Sequence, residues 1–341
     1  MQSIPRIAVI GAGIAGLSCA SVLQEAGLNL NVFDKSRGAA GRMSTRCADD
    51  WECDHGAPFF TASHAEFHAE VMRWQQAGVV GLWAPRLRTF GGHALDAAKA
   101  EVPFFVGIPR MTSPGRLLAK ALDLTVLTTV KQIQRQADGW QLFSAERGIL
   151  NHRFDAVLLA MPAPQVQSLL QPVASELAAL ASRAVMRSCW ALMMRFPVSV
   201  GMDFDAAHIN EGPLRWIARN GSKPGRSGAE TWVLHANADW SAAHLAQDPN
   251  SVAQSLIEAF IELGGPAPEA WTAHRWLYAD TDQPLTEGSA WNAGDRLGLC
   301  GDWLNGGKVE GAWLSGKLLA QQVLHSFREP RPAGSDCACV T

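Results

Sequence analysis

The chain has 341 residues, of which 48% are hydrophobic and 18% charged, and its formal net charge is −3. This suits a soluble globular protein with a sizeable core, and at about 150 residues per domain the length suggests two domains. The charge balance gives no reason to expect nucleic acid or an anionic membrane as partner, and seven cysteines, odd in number, scattered and without a C-x-x-C pair, argue against a disulfide framework or a metal site and for a reducing cytoplasm.

Arg6 followed by "IAVIGAGIAGLSCASVL" has the charged and apolar parts of a signal peptide, but Gly11, Gly13 and Gly16 interrupt it. No apolar run approaches the ~20 residues of a membrane span. Residues 7–10 form a fully apolar run, as a buried parallel strand requires. Helical periodicity runs from Ile14 to about Ala26, and Gly27 stops it. Leu30–Phe33 reads as the second strand of a βαβ opening. "FDAVLLAMPAP" (154–164) is a further buried strand broken by proline. Residues 165–285 hold much of the tryptophan, in strand-like runs such as "LRWIARNGSKPGR", "TWVLHA" and "HRWLYA", and suggest a second sheet facing a site. "RLGLCGDW" (296–303) returns to the first sheet, and 310–327 reads as a helix. The tail "REPRPAGSDCACVT", with Cys337 and Cys339, reads as a frayed terminus.

Gly11-Ala12-Gly13-Ile14-Ala15-Gly16 fits G-x-G-x-x-G, with a strand before it and a helix after it. Gly11 permits the tight turn, Gly13 lets a pyrophosphate approach the helix N-terminus, and Gly16 allows close helix–strand packing. Asp34 follows 18 residues after Gly16, at a strand end, where its carboxylate can take ribose hydroxyls. A simple NAD-binding unit has no evident need for the Gly41-Arg42 element that comes next. An extended FAD does: glycine allows close approach, and arginine supplies a forked donor for oxygen-rich groups. Gly56 and Ala57 in "DHGAPFFTA" permit further backbone contact. Asp302 can accept from a ribityl hydroxyl, and the helix start at Glu310 can stabilise negative charge on a reduced flavin.

With these motifs in hand, the chain resembles the flavin amine-oxidase superfamily, and "WIARNGSKPGR", "TWVLHA", "AHRWLYA" and "VEGAWLSG" resemble its bacterial renalase-like branch. The resemblance spans about residues 5–325. It departs where the family often has Gly-Gly-Arg (here Ala40-Gly41-Arg42) and Gln or Arg with Tyr (here Pro58 and Phe59). It implies a non-covalent FAD and oxidation of 1,2-dihydro isomers of NAD(P)H, with hydride passing to flavin N5 and electrons then to O₂, giving NAD(P)⁺ and hydrogen peroxide. Carried over by position, it places Val130, Asp302 and Val309 beside the flavin and Trp190 and Trp303 against the nicotinamide; Lys35, Pro58, Phe59, Phe60 and Thr61 are further expected cofactor contacts, and Trp313, His235 and Arg219 further expected substrate contacts.

The expected fold is α/β. A discontinuous Rossmann-type FAD-binding domain takes 1–62, 105–164 and 286–327. An α+β substrate domain around a mostly antiparallel sheet takes 63–104 and 165–285, and 328–341 is a flexible tail. Losing hydride restores aromaticity to a dihydropyridine, so stacking and orientation suffice and no general base is expected. Trp190, Trp216, Trp232, Trp276, Trp303 and Trp313 lie in regions near the expected site, although core packing is the commoner role of any single tryptophan. His235 and His274 read either as satisfied core histidines or as donors in the site wall. The basic run Arg215, Arg219, Lys223 and Arg226 reads either as a solvated loop or as contacts to a carboxamide or phosphate. Two other functions compete. A polyamine or amine oxidase would favour an aromatic cage, often of tyrosines, but the chain has one tyrosine, Tyr278. A flavin-binding regulator would keep the cofactor motifs without turnover. No oligomeric state is specified.

Overall fold

The computed structural model describes residues 4–48, 50–92 and 102–328; Arg328, the first residue of the expected tail, ends the last helix, and the rest of that tail, with Cys337 and Cys339, lies outside the described residues. Two six-stranded sheets organise the molecule. The first has the order Ala290–Asn292, Leu297–Leu299, Ala156–Leu159, Arg6–Ile10, Asn29–Phe33 and Leu124–Thr125. It is parallel except for its Ala290–Asn292 edge. Ile7, Val9, Val157 and Leu158 at its centre are inaccessible to solvent, because helices cover both faces.

On one face, helix Ile14–Glu25 lies against the last helix, Val309–Arg328. Small residues let the two approach. A Cβ at Gly316 would overlap Ala15 O, and Ser18 Oγ donates to Trp313 O at 2.9 Å. This crossing ties the glycine-rich start of the chain to its last motif.

The second sheet has the order Ala270–Thr281, Met186–Phe196, Glu230–Ala236, Leu214–Arg219, Ala206–Ile209 and Leu87–Phe90. It is antiparallel except at Leu87–Phe90, which runs parallel to Ala206–Ile209. Leu192, Met194, Ile217 and Leu234 pack on one face against helix Pro249–Glu262 through Leu256 and Phe260. The opposite face, with Met193, Ala218 and Val233, joins Phe60, Phe67 and Trp313 in a core shared with the N-terminal motifs. A three-stranded meander (Val130–Gln136, Gly139–Ser144, Gly148–Phe154) and the hairpin Thr45–Cys47/Glu52–Asp54 complete the parts that position the site. Among the described residues no helix is long and apolar enough to cross a membrane.

Candidate active site

The glycine-rich turn is built by exclusion. Gly11 has φ +111°, where other residues are strained, and its N–H donates to Phe33 O at 2.8 Å. A Cβ at Gly16 would overlap Gly11 O and come within 2.9 Å of Ala160 Cβ. Gly13 is different: nothing lies within 4 Å of where its Cβ would stand. It caps Ile14–Glu25, and no side chain takes the free N–H groups there. Open backbone above unsatisfied N–H groups is the geometry that receives a pyrophosphate. Ile14 and Ala15 are buried beneath it, while Lys35 is exposed. Asp34 braces the turn, Oδ2 accepting from Ala12 N and Oδ1 from Ser36 N, both at 2.7 Å. Each oxygen retains a lone pair for a ribose hydroxyl. The residues therefore fit a dinucleotide.

The 40–62 segment lies across this turn. Ala40 has φ +97°, a strained conformation for alanine, and its N–H donates to Ala12 O at 2.9 Å. Gly115 makes room for the Ala40 methyl group. Arg42 Nη1 donates to Asp302 Oδ2 at 3.0 Å and to Ala279 O at 3.1 Å, and Nη2 bonds Asp302 Oδ1. The arginine thus joins the acid of the Cys300-Gly301-Asp302 turn to the edge strand of the second sheet. A Cβ at Gly56 would overlap Arg42 O, and Ala57 N donates to that oxygen at 2.9 Å. Ser315 Oγ accepts from Gly301 N at 2.9 Å, and the Glu310 carboxylate accepts from Ser63 N at 2.7 Å. Val130 and Val309 are half-buried against the neighbouring cores.

Register decides what the second sheet presents to these loops. Opposite residues in a ladder share a face. Ala191 pairs with both His235 and His274, Cys189 with Trp276, and Trp216 with His235. One face therefore carries Trp216, His235, His274 and Trp276. His55, from the loop before Gly56, joins them: its ring stacks on Trp276 at 5.2 Å and meets His274 edge-on at 4.8 Å. His55 O accepts from Trp276 Nε1 at 2.9 Å and pairs with His235 Nε2 at 3.2 Å. Phe59 stacks on Phe104 at 3.9 Å and tilts against Trp216 at 5.3 Å. Phe60 is buried against Phe105, between half-buried Pro58 and Thr61. Among the described residues no group of three or more His, Cys, Asp or Glu is placed to hold a metal ion.

The imidazoles of the wall are uncharged at neutral pH, with the Arg46 cation near His55 and His274. Burial, then the neighbouring His274, His235 and Arg46, lowers the His55 pKa to about 3. Burial, then Arg215, lowers His235 to about 3, and burial lowers His274. Behind the wall lies a closed charge cluster. Asp54 Oδ2 accepts from Lys223 Nζ at 3.0 Å and Arg226 Nη2 at 2.6 Å, while Oδ1 accepts from Thr45 Oγ1 at 2.6 Å and Met111 N at 3.2 Å. Burial pushes the Asp54 pKa up, but the two cations and the Thr45 hydroxyl outweigh it and hold the carboxyl well below its ordinary range.

These shifts set the acid stability. Unfolded, His55 and His235 take protons near pH 6.5; folded, they resist to about pH 3. Their contribution is complete above the unfolded value and is lost as pH falls toward the folded one, at up to about 1.4 kcal/mol per pH unit each. Asp54, its pKa depressed, adds stability that is also lost in acid. The melting temperature is expected to fall steadily from about pH 6.5 to about pH 4. A flat profile over that range contradicts buried neutral histidines.

Several expected contacts are corrected by the register. Trp190 pairs opposite Arg275, points to the helix-covered face and is 2% exposed, its Nε1 donating to His244 O at 3.2 Å. Trp232 lies in the same core. Trp303 is fully buried, with Nε1 donating to Met161 O at 3.0 Å. Trp313 packs on Phe67 at 5.7 Å, inside the shared core. None of the three expected contacts, Trp190, Trp303 or Trp313, offers a free ring face. Arg219 Nε donates to Glu230 at 2.9 Å, at the opposite end of its strand from the His235 row. The basic run is neither a solvated loop nor a set of free cations: Arg215 bonds Asp280 at 2.8 Å, and Lys223 and Arg226 hold Asp54. His235 belongs to the wall. His55 was missed because "DHGAPFFTA" reads most clearly through its glycine; the alternation of His274, Trp276 and Tyr278 in "AHRWLYA" was the available signal for that face. A separate cleft of about 690 Å³ opens beyond Arg215, between Arg187, Asn210, Trp240 and His244.

Known proteins share this architecture. Residues 9–76 match the NAD(P)-binding Rossmann-like domain, and residues 108–324 match the flavin containing amine oxidoreductase family. A tRNA 5-methylaminomethyl-2-thiouridine biosynthesis bifunctional protein of Magnetococcus marinus is 30% identical over 206 residues, 47% of this chain and 30% of its own length. The mitochondrial protoporphyrinogen oxidase of Nicotiana tabacum is 39% identical over 65 residues, 19% of this chain and 13% of its own length. The chain thus spans less than a third of the curated relatives it matches. The solved structure of cyclohexylamine oxidase from Brevibacterium oxydans superposes with a TM-score of 0.72 at 14% identity, covering 96% of this chain and 100% of that one. With the family match spanning most of the chain, from the loop before Met111 to the last helix, this protein belongs to the flavin containing amine oxidoreductase family.

Proposed function

We propose that the protein is an FAD-dependent oxidase of 1,2-dihydro isomers of NAD(P)H, releasing NAD(P)⁺ and hydrogen peroxide. Bound FAD would supply the hydride acceptor at N5 and the route of electrons to O₂. The chain's part is to hold that cofactor and orient the donor. Gly13 and the uncapped helix would take the pyrophosphate, Asp34 a ribose, and Arg42 with Asp302 the oxygen-rich middle of the molecule.

The wall of uncharged imidazoles is the observation that favours this donor. Amines arrive protonated near neutral pH, with pKa values near about 10 for a lysine-like ammonium, and must lose a proton before oxidation. Histidines held near pKa 3 are poor proton acceptors. Asp280, at the end of the same sheet, is bonded to Arg187 and Arg215, each at 2.8 Å. A dihydropyridine needs no base, because aromatisation drives hydride loss, and it needs a flat surface to lie on.

Anaerobic mixing of the FAD-loaded protein with a panel of donors tests the reading. The 1,2-dihydro isomers should bleach the flavin rapidly; ordinary 1,4-NAD(P)H and amines should do so slowly or not at all. Rapid bleaching by cyclohexylamine or putrescine without bleaching by dihydro isomers would establish an amine oxidase instead. Asp302→Ala should weaken FAD retention about tenfold to hundredfold, since a hydrogen bond to a charged group contributes about 1.5–3 kcal/mol. Unchanged FAD affinity would place Asp302 outside the cradle.

A further inference from the structure

We infer that Trp276 is the platform on which the planar ring of the substrate stacks, and that His55 positions it. The identity of that ring rests on the dihydronicotinamide reading; the geometry of the platform does not. Trp190, Trp216, Trp232 and Trp303 are each at most 4% exposed, whereas Trp276 is half-buried. Its indole N–H is bonded to His55 O, which fixes the ring's rotation. The His55 imidazole stacks on it at an interplanar angle of 26°, and His274 meets it edge-on at 4.5 Å. A ring held by a hydrogen bond and a stacked partner has little rotamer freedom left to lose on binding.

The platform is coupled to the cofactor cradle through covalent neighbours. His55 adjoins Gly56, which lies against Arg42 O, and Arg42 donates to Ala279 O on the strand that carries Trp276. A movement of Trp276 would therefore misplace the substrate ring relative to the flavin. An indole face attracts a flat conjugated ring, and the uncharged imidazoles around it impose no charge requirement. An aliphatic amine has no comparable face to offer. His55 is a positioning residue: its ring supports the indole, and its protonation plays no part.

Two titrations of the FAD-loaded protein test this. Nicotinamide serves as a planar, unreactive probe read by the flavin spectrum, and 1,2-dihydro-NAD(P) is read by the concentration dependence of anaerobic bleaching. Trp276→Ala should raise both half-saturating concentrations about tenfold or more, a factor corresponding to about 1.4 kcal/mol and within the range of aromatic stacking on a flat base. Trp276→Phe should retain most of the binding, and Trp190→Phe should leave it unchanged. His55→Ala should weaken binding in the same direction, and His55→Phe should restore it. If an alanine variant does not fold, Trp276→Leu, which keeps apolar bulk without a π face, replaces it. Wild-type half-saturation in Trp276→Ala or Trp276→Leu, or failure of His55→Phe to restore binding, overturns the assignment. If dihydro-NAD(P) does not bleach the wild type, the proposed reaction falls while the nicotinamide titration still decides the platform: binding lost with Trp276 supports it, and binding absent from the wild type or independent of Trp276 overturns it.

Discussion

Gly16→Ala is expected to give a colourless protein, while Gly13→Ala should separate cofactor binding from folding. At Gly16 the added methyl would overlap Gly11 O and press on Ala160, so the helix must shift away from the strand. Core strain of this kind costs about 1–3 kcal/mol, and the displaced helix no longer aims its N–H groups at a pyrophosphate. Gly13→Ala meets nothing in the protein itself. It should leave the melting temperature of the cofactor-free protein nearly unchanged and still weaken FAD binding, because the methyl stands where the pyrophosphate approaches. Absorbance of the purified variants, reconstitution with FAD and thermal melts check both. Normal FAD affinity in Gly13→Ala would mean that the cofactor does not cross this turn.

The largest effect on stability should come from Asp54→Ala. The side chains of Asp54, Lys223 and Arg226 are almost completely buried, and one carboxylate holds both cations. Removing it leaves two buried positive charges without their counter-ion, a change that costs about 3–5 kcal/mol. For a protein of this size that corresponds to a fall of roughly four to seven degrees in melting temperature. Asp54→Asn preserves the shape but not the charge and should recover only part of the loss. A melting temperature within about two degrees of wild type would show that the cluster is hydrated or rearranged in solution. The cluster also fixes the Thr45–Cys47/Glu52–Asp54 hairpin against the 220–226 loop, so a destabilised variant should lose order next to His55.

The glycine-rich turn of the candidate site was readable because each requirement is local. A tight turn, a close approach and a strand-end acid impose residue types at fixed spacing, and Gly11, Gly13, Gly16 and Asp34 satisfy them. The second sheet was readable as a sheet but not as a surface. Met186–Phe196 is apolar on both faces, one against a helix and the other against the shared core, so its sequence does not tell which face Trp190 takes. Pairing with His235 and His274 fixes that Ala191, not Trp190, faces the site. The partners of charged groups were equally hidden. Arg42 lies 260 residues from Asp302, and Asp54 lies 169 from Lys223; contacts at such separations depend on how the sheets dock. Strand Leu87–Phe90 escaped the reading because its pairing is with residues far along the chain.

The most direct measurement is anaerobic stopped-flow mixing of the FAD-loaded protein with 1,2-dihydro-NAD(P), carrying either hydrogen or deuterium at C2 of the nicotinamide. The account predicts that one equivalent bleaches the flavin, that NAD(P)⁺ is the product, and that deuterium at C2 slows the bleaching. No bleaching by this donor, or bleaching at a rate indifferent to deuterium at C2 alongside rapid reduction by amines, would contradict it.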